Sequence, residues 1–324
     1  MQQEKIKKRK IMLVGTGFVG MSFAYSLLNE RGIDELVLVD VNADKARGEE
    51  MDLSDGLVYA DTKMKITAGS YEDAKDTNIV VLTAGAAQKP GQSRLDLVKI
   101  NASITKSVCE ALKANNFDGI LLVANNPVDI MTYVAWKVSG LPKNHVIGSG
   151  TVLDTARLRH GLSEFLGVAD SNIHAYIMGE HGDSSFVPWI HTYIGCKSLL
   201  EYLDENDIPL TALQDIHIEA RDKAYKIIEL KRATYYGIGF ALRRIVTAIL
   251  NNEKCILPVS SYQSGEYGCE GYFIGTPTVV GSNGVEKVVR LPLNENDQAR
   301  FNNSFNTLKE TVLENLGEII DLDA

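Results

Sequence analysis

Short apolar runs alternate with longer segments of helical character through the first 150 residues of the chain. The apolar runs have the length of strands and cover residues 11–15, 36–40, 79–85 and 119–125. Strands that alternate with helices imply βαβ units, whose strands pair in parallel. The pattern therefore predicts an α/β fold with a doubly wound parallel sheet.

The pattern changes after about residue 150, which indicates a second domain. Helical segments and glycine-punctuated strand runs follow in mixed order. They are a helix over 152–166, a long charged helical segment ending near 229, strand runs within 268–293 and a terminal amphipathic helix over about 295–317. We expect two domains, residues 9–149 and an α+β domain of residues 150–324, with a helix over about 236–252 packing back on the first.

The uncharged run from Ile11 to Leu28 follows a basic cluster and allows another interpretation, as a signal peptide or membrane anchor. A membrane span needs roughly 18 or more predominantly apolar residues. This run reaches that length only by including three glycines, two serines, a threonine and a tyrosine. No processing site follows, because residues 30–32 lead directly into the next apolar run. A strand, a turn and a helix are therefore favoured here.

Composition and charge narrow the class of protein. The 324 residues are 45% hydrophobic, which is ample for a buried core. The formal net charge of −9 repels nucleic acid and anionic membrane surfaces, so neither is an expected partner. The four cysteines stand singly, which favours reduced thiols in the cytoplasm over disulfides or a metal site.

The sequence GTGFVG directly follows the first apolar run and places Gly15, Gly17 and Gly20 in G-x-G-x-x-G spacing. In this spacing the first glycine allows a tight turn, the second admits a pyrophosphate and the third lets helix and strand pack closely. Asp40 ends the next apolar run, where a carboxylate can bind a ribose diol. Together they favour a Rossmann-type dinucleotide site over an ordinary glycine-rich turn. The charge of Asp40 would repel a 2′-phosphate, so NAD is expected rather than NADP.

Candidate chemistry in the second half of the chain lies in two motifs. GEHGDSS contains His181, and LDTARLR contains Asp154, Arg157 and Arg159. Taken singly, an isolated histidine is more often structural, and arginines on a helix usually face solvent. Residues at i and i+3 share one helix face, however, so Asp154 and Arg157 can point into the same cleft.

In their order along the chain, these motifs resemble those of the L-lactate and malate dehydrogenases. The resemblance extends from about Lys10 to Gly317 and rests on GTGFVG, TAGAAQKPGQSRLDLV, NNPVD, LDTAR, GEHGDS and ATYYGIG. Two positions depart from the family's pattern, since Asn125 stands where serine is usual and Arg232 where glycine is usual. We expect local variation that alters contacts near the nicotinamide or Thr234.

The resemblance implies that His181 donates and accepts the proton, while Asp154 holds its imidazole in the correct tautomer and stabilises the charged form. The chemistry agrees, because hydride transfer to a ketone creates an alkoxide that must gain a proton. A histidine with a pKa near neutral can supply and recover that proton. Arg157 would bind the substrate carboxylate with its two-pronged guanidinium.

The resemblance also implies the remaining site residues. Arg94, in the Gly- and Pro-containing segment 85–96, is the expected lid arginine that polarises the carbonyl after closure. Without the family, that segment would be interpreted as a solvated loop. Asn126 is expected to contact the substrate and lie near the cofactor, and Thr234 and Ile238 are expected to shape the substrate and nicotinamide pockets.

Gln88 determines which acid we expect as substrate. Related malate dehydrogenases usually carry an arginine at this position, which pairs with the second carboxylate of the substrate. A charge pair at about 4 Å and an effective dielectric near 20 is worth roughly 4 kcal/mol, so a neutral Gln88 selects against dicarboxylates. Pyruvate and L-lactate are therefore expected, with a malate or broader 2-hydroxyacid dehydrogenase as the alternative.

A non-catalytic NAD-binding sensor is the alternative from another class. It would tolerate loss of His181, Asp154 or Arg157, and all three are present.

Arg159 and His174 match positions at which bacterial relatives activated by fructose 1,6-bisphosphate bind the phosphates of that effector. Without the resemblance, they would be interpreted as a surface arginine and a strand-end histidine. The resemblance also suggests a homotetramer, in which a two-fold axis brings two copies of the pair together as a cationic pocket. A bisphosphate bound there is expected to favour the substrate-competent state.

Overall fold

The computed structural model describes residues 8–86 and 94–322, except for the side chains of residues 94 and 95. In the first half of the described chain, strands alternate with helices. The strands are β1 (Lys10–Val14), β2 (Glu35–Val39), β3 (Lys65–Ala68), β4 (Ile79–Leu82), β5 (Ile120–Val123) and β6 (Val146–Gly148). The helices are α1 (Phe18–Leu27), α2 (Ala43–Gly56), α3 (Arg94–Ala114), α4 (Val128–Ser139) and α5 (Val152–Leu166).

These strands pair in parallel in the order β3-β2-β1-β4-β5-β6. Alternate side chains of β1 enter two cores, Ile11 and Leu13 with α1 on one face, Met12 and Val14 with α3 and α4 on the other. Because helices cover both faces, the strands are apolar throughout. The predicted doubly wound parallel sheet is confirmed. Strand order reverses between β1 and β4, and ligands of such sheets bind at the carboxyl ends of the strands there.

The second half of the chain mixes strands and helices. The strands are β7 (Ile173–His174), β8 (Tyr193–Ile194), β9 (Lys197–Ser198), β10 (Cys255–Ser264), β11 (Glu270–Gly281) and β12 (Gly284–Val288). The helices are α6 (Leu199–Glu205), α7 (Thr211–Lys231), α8 (Tyr236–Leu250) and α9 (Glu295–Asn315). β7, β8 and β9 form a small antiparallel sheet, whereas β10, β11 and β12 extend the large sheet beyond β6. The predicted combination of helices and strands is confirmed.

Strand β10 joins the two halves of the chain, and the apolar pattern does not predict it. Ser260 of β10 pairs with Gly148 of β6. Ser260, Ser261 and Gln263 are all fully buried. The Ser261 hydroxyl lies 3.0 Å from that of Thr276 on β11, so polar side chains here satisfy one another inside the sheet. A buried polar strand gives no hydrophobic periodicity to detect.

Helix α8 of the second half lies against α1. Gly239 allows this approach, because a Cβ atom there would lie 2.8 Å from the carbonyl carbon of Ser22 and 2.9 Å from the nitrogen of Phe23. The uncharged run at residues 11–28 is thus β1, a turn and the α1 helix that α8 covers. None of the described helices combines the length and the apolar composition that a membrane span requires.

Candidate active site

Steric contacts explain two of the glycines in the turn between β1 and α1. Gly15 has a φ of +102°, and a Cβ there would lie 2.5 Å from the backbone nitrogen of Ala84, just after β4. A Cβ on Gly20 would overlap the carbonyl oxygen of Gly15, so glycine lets α1 pack close to the turn. Gly17 lies at the N-cap of α1, and apart from its neighbours in the chain no atom of the described residues lies within 4 Å of its Cβ position. An anionic group can therefore approach the start of α1 over Gly17.

Asp40 directly follows β2, and its side chain is hydrogen-bonded to the glycine turn. Its carboxylate accepts hydrogen bonds from the backbone N–H of Thr16 (2.7 Å), the Thr16 hydroxyl (2.9 Å) and the backbone N–H of Asn42 (3.0 Å). Burial raises the pKa of Asp40, but these hydrogen bonds outweigh burial and lower the pKa below its ordinary value. Thr16 occupies a variable position of the glycine motif, so the spacing rule does not identify it as a partner of Asp40.

The turn and Asp40 fit the phosphates and the ribose of an adenosine diphosphate group. The open space over Gly17 admits phosphates to the amino end of α1, and a side chain at this position would narrow it. The partly exposed, ionised Asp40 can accept hydrogen bonds from ribose hydroxyls beside it. The residues present therefore suit NAD.

One carboxylate, that of Asp154 on α5, contacts both an imidazole and a guanidinium. Its Oδ2 atom lies 2.6 Å from Nδ1 of His181, and its Oδ1 atom accepts a 3.1 Å hydrogen bond from Arg157. The Arg157 and Asp154 side chains are only 10% and 12% exposed, so their ion pair is shielded from water. Since Nδ1 of His181 contacts Asp154, Nε2 is the ring nitrogen left for a ligand in the cavity that His181 lines.

The contacts in this cluster separate the pKa values of its members. The charge of Asp154 raises the pKa of His181 from 6.5 to about 9, against the opposing effects of burial and Arg157. Burial raises the pKa of Asp154, but His181 and Arg157 outweigh it, so the pKa of this carboxyl is lowered. At neutral pH the cluster therefore presents a protonated imidazole, which is a proton donor, beside a guanidinium that can bind an anion.

Asp154, Arg157 and His181 line a cavity of about 540 Å³. Apolar side chains also line it, among them Leu97 of α3 and Ile130 of α4. This volume lies within the range of small-molecule sites, roughly 300–1,000 Å³, and such sites combine apolar walls with a few polar groups. The cavity suits a small organic anion that carries a group able to accept a proton.

The segment that carries His181 is bonded to distant elements. The amide of Gly179 donates to the carbonyl of Gly275 on β11 (3.0 Å), and the amide of Glu180 donates to the hydroxyl of Ser304 on α9 (2.7 Å). A Cβ on Gly179 would lie 2.7 Å from that same hydroxyl, so α9 packs directly on the loop. Ser304 is fully buried, and no sequence motif identifies it as a site residue.

Asn125 and Asn126 are adjacent after β5 but face different surroundings. Asn126 is exposed and lines the cavity. Asn125 is buried and donates a 2.8 Å hydrogen bond to the hydroxyl of Thr105 on α3. The residue that departs from the usual serine therefore contacts the protein interior, and it is not among the described residues that line the cavity.

The other predicted site residues are described to different extents. Thr234 lies between α7 and α8, and Ile238 lies in the first turn of α8; neither is among the described residues lining the cavity. Arg94 is the first residue of α3, so residues 94–96 of the predicted lid segment are helical. The side chain of Arg94 and the whole of Gln88 lie outside the described residues. The roles of these four residues stay predictions.

Arg159 contacts the strand segment that carries His174. Its Nε atom donates a 3.1 Å hydrogen bond to the carbonyl of Ala175, and its guanidinium lies 5.3 Å from the ring centre of Tyr176. His174 itself is exposed on β7. Arg159 therefore projects toward β7, whereas Arg157 lines the cavity.

Comparison with known proteins finds relatives over nearly the whole chain. Residues 9–148 match the family model described as lactate/malate dehydrogenase, NAD binding domain, and residues 151–318 match that of the alpha/beta C-terminal domain. An L-lactate dehydrogenase of Lactococcus lactis subsp. cremoris (strain NZ9000) is 50% identical over 309 residues, or 95% of this chain and 98% of the relative. The minor L-lactate dehydrogenase from Enterococcus mundtii, solved in its ligands-bound form, has a TM-score of 0.93 at 47% identity and covers 95% of this chain and 98% of its own. The lactate dehydrogenase MGS-M5 from a deep-sea metagenome also has a TM-score of 0.93, at 49% identity, covering 95% and 99%.

Proposed function

The chain belongs to the lactate/malate dehydrogenase family of NAD-dependent oxidoreductases, and we propose that it is an L-lactate dehydrogenase. The proposed reaction converts pyruvate, NADH and one proton reversibly into L-lactate and NAD⁺. The observation that carries the proposal is the contact of one carboxylate, Asp154, with both His181 and Arg157. These two cations match the carbonyl oxygen and the carboxylate of a 2-oxoacid.

Arg157 binds and orients the substrate in this proposal. A guanidinium has five N–H donors, and one of those of Arg157 bonds Asp154, so others can form a two-pronged contact with the substrate carboxylate. The contact with Asp154 also fixes the arginine side chain before substrate arrives. Less conformational freedom is then lost on binding, and the reacting carbon is held in one place.

His181 moves the proton. Its pKa of about 9 keeps it protonated at neutral pH, so Nε2 can donate to the carbonyl oxygen of pyruvate as the carbon is reduced. In the reverse direction, the neutral imidazole takes the hydroxyl proton of L-lactate. Asp154 accepts from Nδ1 in both directions and so determines which nitrogen faces the substrate. The bound cofactor would supply the hydride to the reacting carbon as NADH, or accept it as NAD⁺ in the reverse direction.

The glycine turn and Asp40 would hold the dinucleotide. Gly15, Gly17 and Gly20 let the pyrophosphate reach the amino end of α1, and Asp40 would bind the ribose diol. Ile238 is proposed to border the nicotinamide.

Residues around the cavity would complete the substrate site. Asn126 is proposed to donate a hydrogen bond to the substrate from the rim of the cavity, supported by its place in the lining. Thr234 is proposed to shape the substrate pocket. Arg94 is proposed to polarise the carbonyl after lid closure, and a neutral Gln88 to disfavour dicarboxylates.

A substrate panel tests the proposal. Steady-state NADH oxidation with pyruvate, oxaloacetate and branched 2-oxoacids should give the highest kcat/KM with pyruvate. A higher kcat/KM with oxaloacetate would instead indicate a malate dehydrogenase. NADH binding without turnover of any 2-oxoacid would indicate a non-catalytic sensor.

We also propose that the protein is a homotetramer activated by fructose 1,6-bisphosphate through Arg159 and His174. The hydrogen bond from Arg159 beside His174 supports a cationic patch on the β7 side of α5. A coupling of about 1–3 kcal/mol gives a roughly 5- to 150-fold gain in apparent pyruvate affinity. Pyruvate saturation with and without millimolar effector tests the proposal, and Arg159→Ala should abolish the gain. Identical pyruvate saturation curves with and without the effector would exclude activation of the unmodified protein. Sedimentation measures the number of subunits and so tests the homotetramer.

A cytoplasmic location is the last part of the proposal. The four cysteines are free thiols, two of them buried. Unpaired thiols suit a reducing compartment. Fractionation of cells followed by assay of pyruvate reduction measures the location.

A further inference from the structure

A second carboxylate contacts His181 through its main chain. Asp129, in the first turn of α4, is only 1% exposed. Its Oδ2 atom accepts a 2.7 Å hydrogen bond from the backbone N–H of His181, and its Oδ1 atom accepts the hydroxyl hydrogen of Ser260 on β10. Ser260 is itself fully buried. Asp129 therefore connects α4, β10 and the active-site loop at the residue that is proposed to move the proton.

We propose that Asp129 is a positioning residue for His181, which fixes the main chain of the histidine and supplies a second negative charge that favours the imidazolium. The inference rests on the proposed function of His181. Asp154 holds the ring of His181, and Asp129 holds its backbone. The two carboxylates thus restrain the same residue at its two ends.

The loop needs this restraint because successive amides bond to separate elements. Gly179 donates to β11, Glu180 to Ser304 on α9, and His181 to Asp129 on α4. Of these acceptors, only the one that His181 uses is a carboxylate. Removing it would leave the His181 amide without its partner and let the imidazole move relative to the cavity. A displacement of about 1 Å at a reacting group can cost on the order of 10²-fold in rate.

The charge of Asp129 is costly where it lies. Burial, together with nearby Glu180, raises the pKa of Asp129 to about 6, against the hydrogen bonds from Ser260 and His181. A neutral amide could accept the hydrogen bond from the His181 amide through its oxygen and donate to the Ser260 hydroxyl through its nitrogen, without the penalty of a buried charge. Hydrogen bonding alone therefore does not require a carboxylate here.

The same charge acts on the imidazole. Asp129 is ionised at neutral pH, and after Asp154 its charge helps to raise the pKa of His181, while Arg157 opposes both. Among the described residues, the charged groups with the largest effects on the pKa of His181 are Asp154 and Arg157 of α5 and Asp129 of α4. Glu180 acts on Asp129, and Asp183 and Arg221 also line the cavity. Asp129 has two separable effects, one through its hydrogen bond and one through its charge.

Two variants separate these effects. Asp129→Asn retains an acceptor for the His181 amide and removes the charge, whereas Asp129→Ala removes both. We expect Asp129→Ala to lower kcat for pyruvate reduction about 10- to 100-fold with little change in NADH affinity. Asp129→Asn should restore kcat to within a few-fold of the unmodified protein. It should also lower the pKa of His181 by about 0.5–1 pH unit, because one nearby charge is lost.

The pKa of His181 is read by NMR titration of the histidine rings, with His181→Gln used to assign the signal among the six histidines. The alkaline limb of the kcat/KM profile for pyruvate should move to lower pH by the same amount. The unfolding midpoint of Asp129→Asn near pH 7.5 should equal or exceed that of the unmodified protein, since a buried charge has been removed. A merely structural carboxylate would change neither the NMR titration nor the position of the limb.

Thr132→Val is the matched control, because Thr132 is fully buried on the same helix and its hydroxyl bonds the Val128 carbonyl of that helix. It should leave the pKa of His181 and kcat unchanged. An unaltered pKa of His181 in Asp129→Asn would overturn the charge effect, and near-normal kcat in Asp129→Ala would overturn the positioning. If Asp129→Ala does not fold, Asp129→Asn still tests the positioning. A kcat of Asp129→Asn far below that of the unmodified protein would contradict the proposal, because this variant retains an acceptor for the His181 amide. The NMR titration needs no turnover, so it decides the coupling of Asp129 to His181 even if pyruvate is not the substrate.

Discussion

Asp154→Asn tests the active-site cluster at its centre, because the variant keeps the size of the side chain and removes its charge. Asp154 is the largest cause of the raised pKa of His181, which is about 9 rather than 6.5. That difference corresponds to about 3 kcal/mol of preference for the imidazolium. Burial still favours the neutral ring once the carboxylate has gone, so we expect the pKa of His181 to fall to 6.5 or below.

The expected loss of activity follows from protonation and position. At about pH 7.5 nearly all of His181 is protonated in the unmodified protein, whereas a pKa near 6.5 leaves roughly one tenth protonated. Protonation alone then lowers pyruvate reduction about tenfold. Loss of the carboxylate that contacts both His181 and Arg157 should lower pyruvate reduction by a further 10- to 100-fold or so. The loss due to deprotonation should nearly vanish at about pH 6, whereas the loss due to the missing contacts should remain.

The assay is kcat/KM for pyruvate from mildly acidic to alkaline pH, together with L-lactate oxidation. In the unmodified protein, reduction should decline as pH rises through about 9, and oxidation should rise over the same range. Both limbs should move to about pH 6.5 or below in Asp154→Asn. Glu164→Gln is a matched control, because Glu164 lies on the same helix in an exposed pair with His160. A limb that stays near pH 9 in Asp154→Asn would refute the role assigned to this carboxylate.

Three further variants test other parts of the site and the fold. His181→Asn should lower kcat by about 10²- to 10⁴-fold while NADH affinity, measured by fluorescence, stays within a few-fold; near-normal turnover would remove His181 as the acid. Gln88→Arg should shift the kcat/KM ratio of oxaloacetate to pyruvate by about 10²- to 10³-fold, and an unchanged ratio would mean that residue 88 does not contact the substrate. Arg232 follows the last residue of α7 as its C-cap and has a left-handed φ of +71°, so Arg232→Gly should raise the free energy of unfolding by about 0.5–1 kcal/mol. A lower free energy of unfolding in denaturant titration would contradict this source of strain.

Features with a local signature were predictable from the sequence. The apolar runs of β1, β2, β4 and β5 mark a sheet covered on both faces, and the helix at Val152–Leu166 has the predicted bounds. The sequence also shows that Arg232 stands where the family usually has glycine. Its physical meaning needs the backbone, because only the positive φ shows why glycine is common at this helix end.

Elements and contacts that depend on distant partners were not predictable. β3 and β6 are only four and three residues long, and β10 carries buried serines, so none of them gives a strong periodic signal. Ser304 bonds the amide of Glu180 across 124 residues of sequence, and Asp129 bonds that of His181 across 52. Almost any residue type can donate its backbone N–H to a side chain, so the sequence of the donating residue does not indicate the contact. Rules based on the spacing of residue types therefore cannot find such pairs.

The motif NNPVD shows this limit within five residues. It contributes to the family resemblance as a unit, yet its three polar side chains contact different parts of the structure. Asn125 bonds Thr105 in the interior, Asn126 lines the cavity and Asp129 accepts the amide of His181. Residue type shows that each side chain needs hydrogen-bond partners, but direction depends on the end of β5, the first turn of α4 and the elements packed against them. A motif therefore identifies the chemistry available at a site, whereas the fold decides which member faces the substrate and which holds the residue that does.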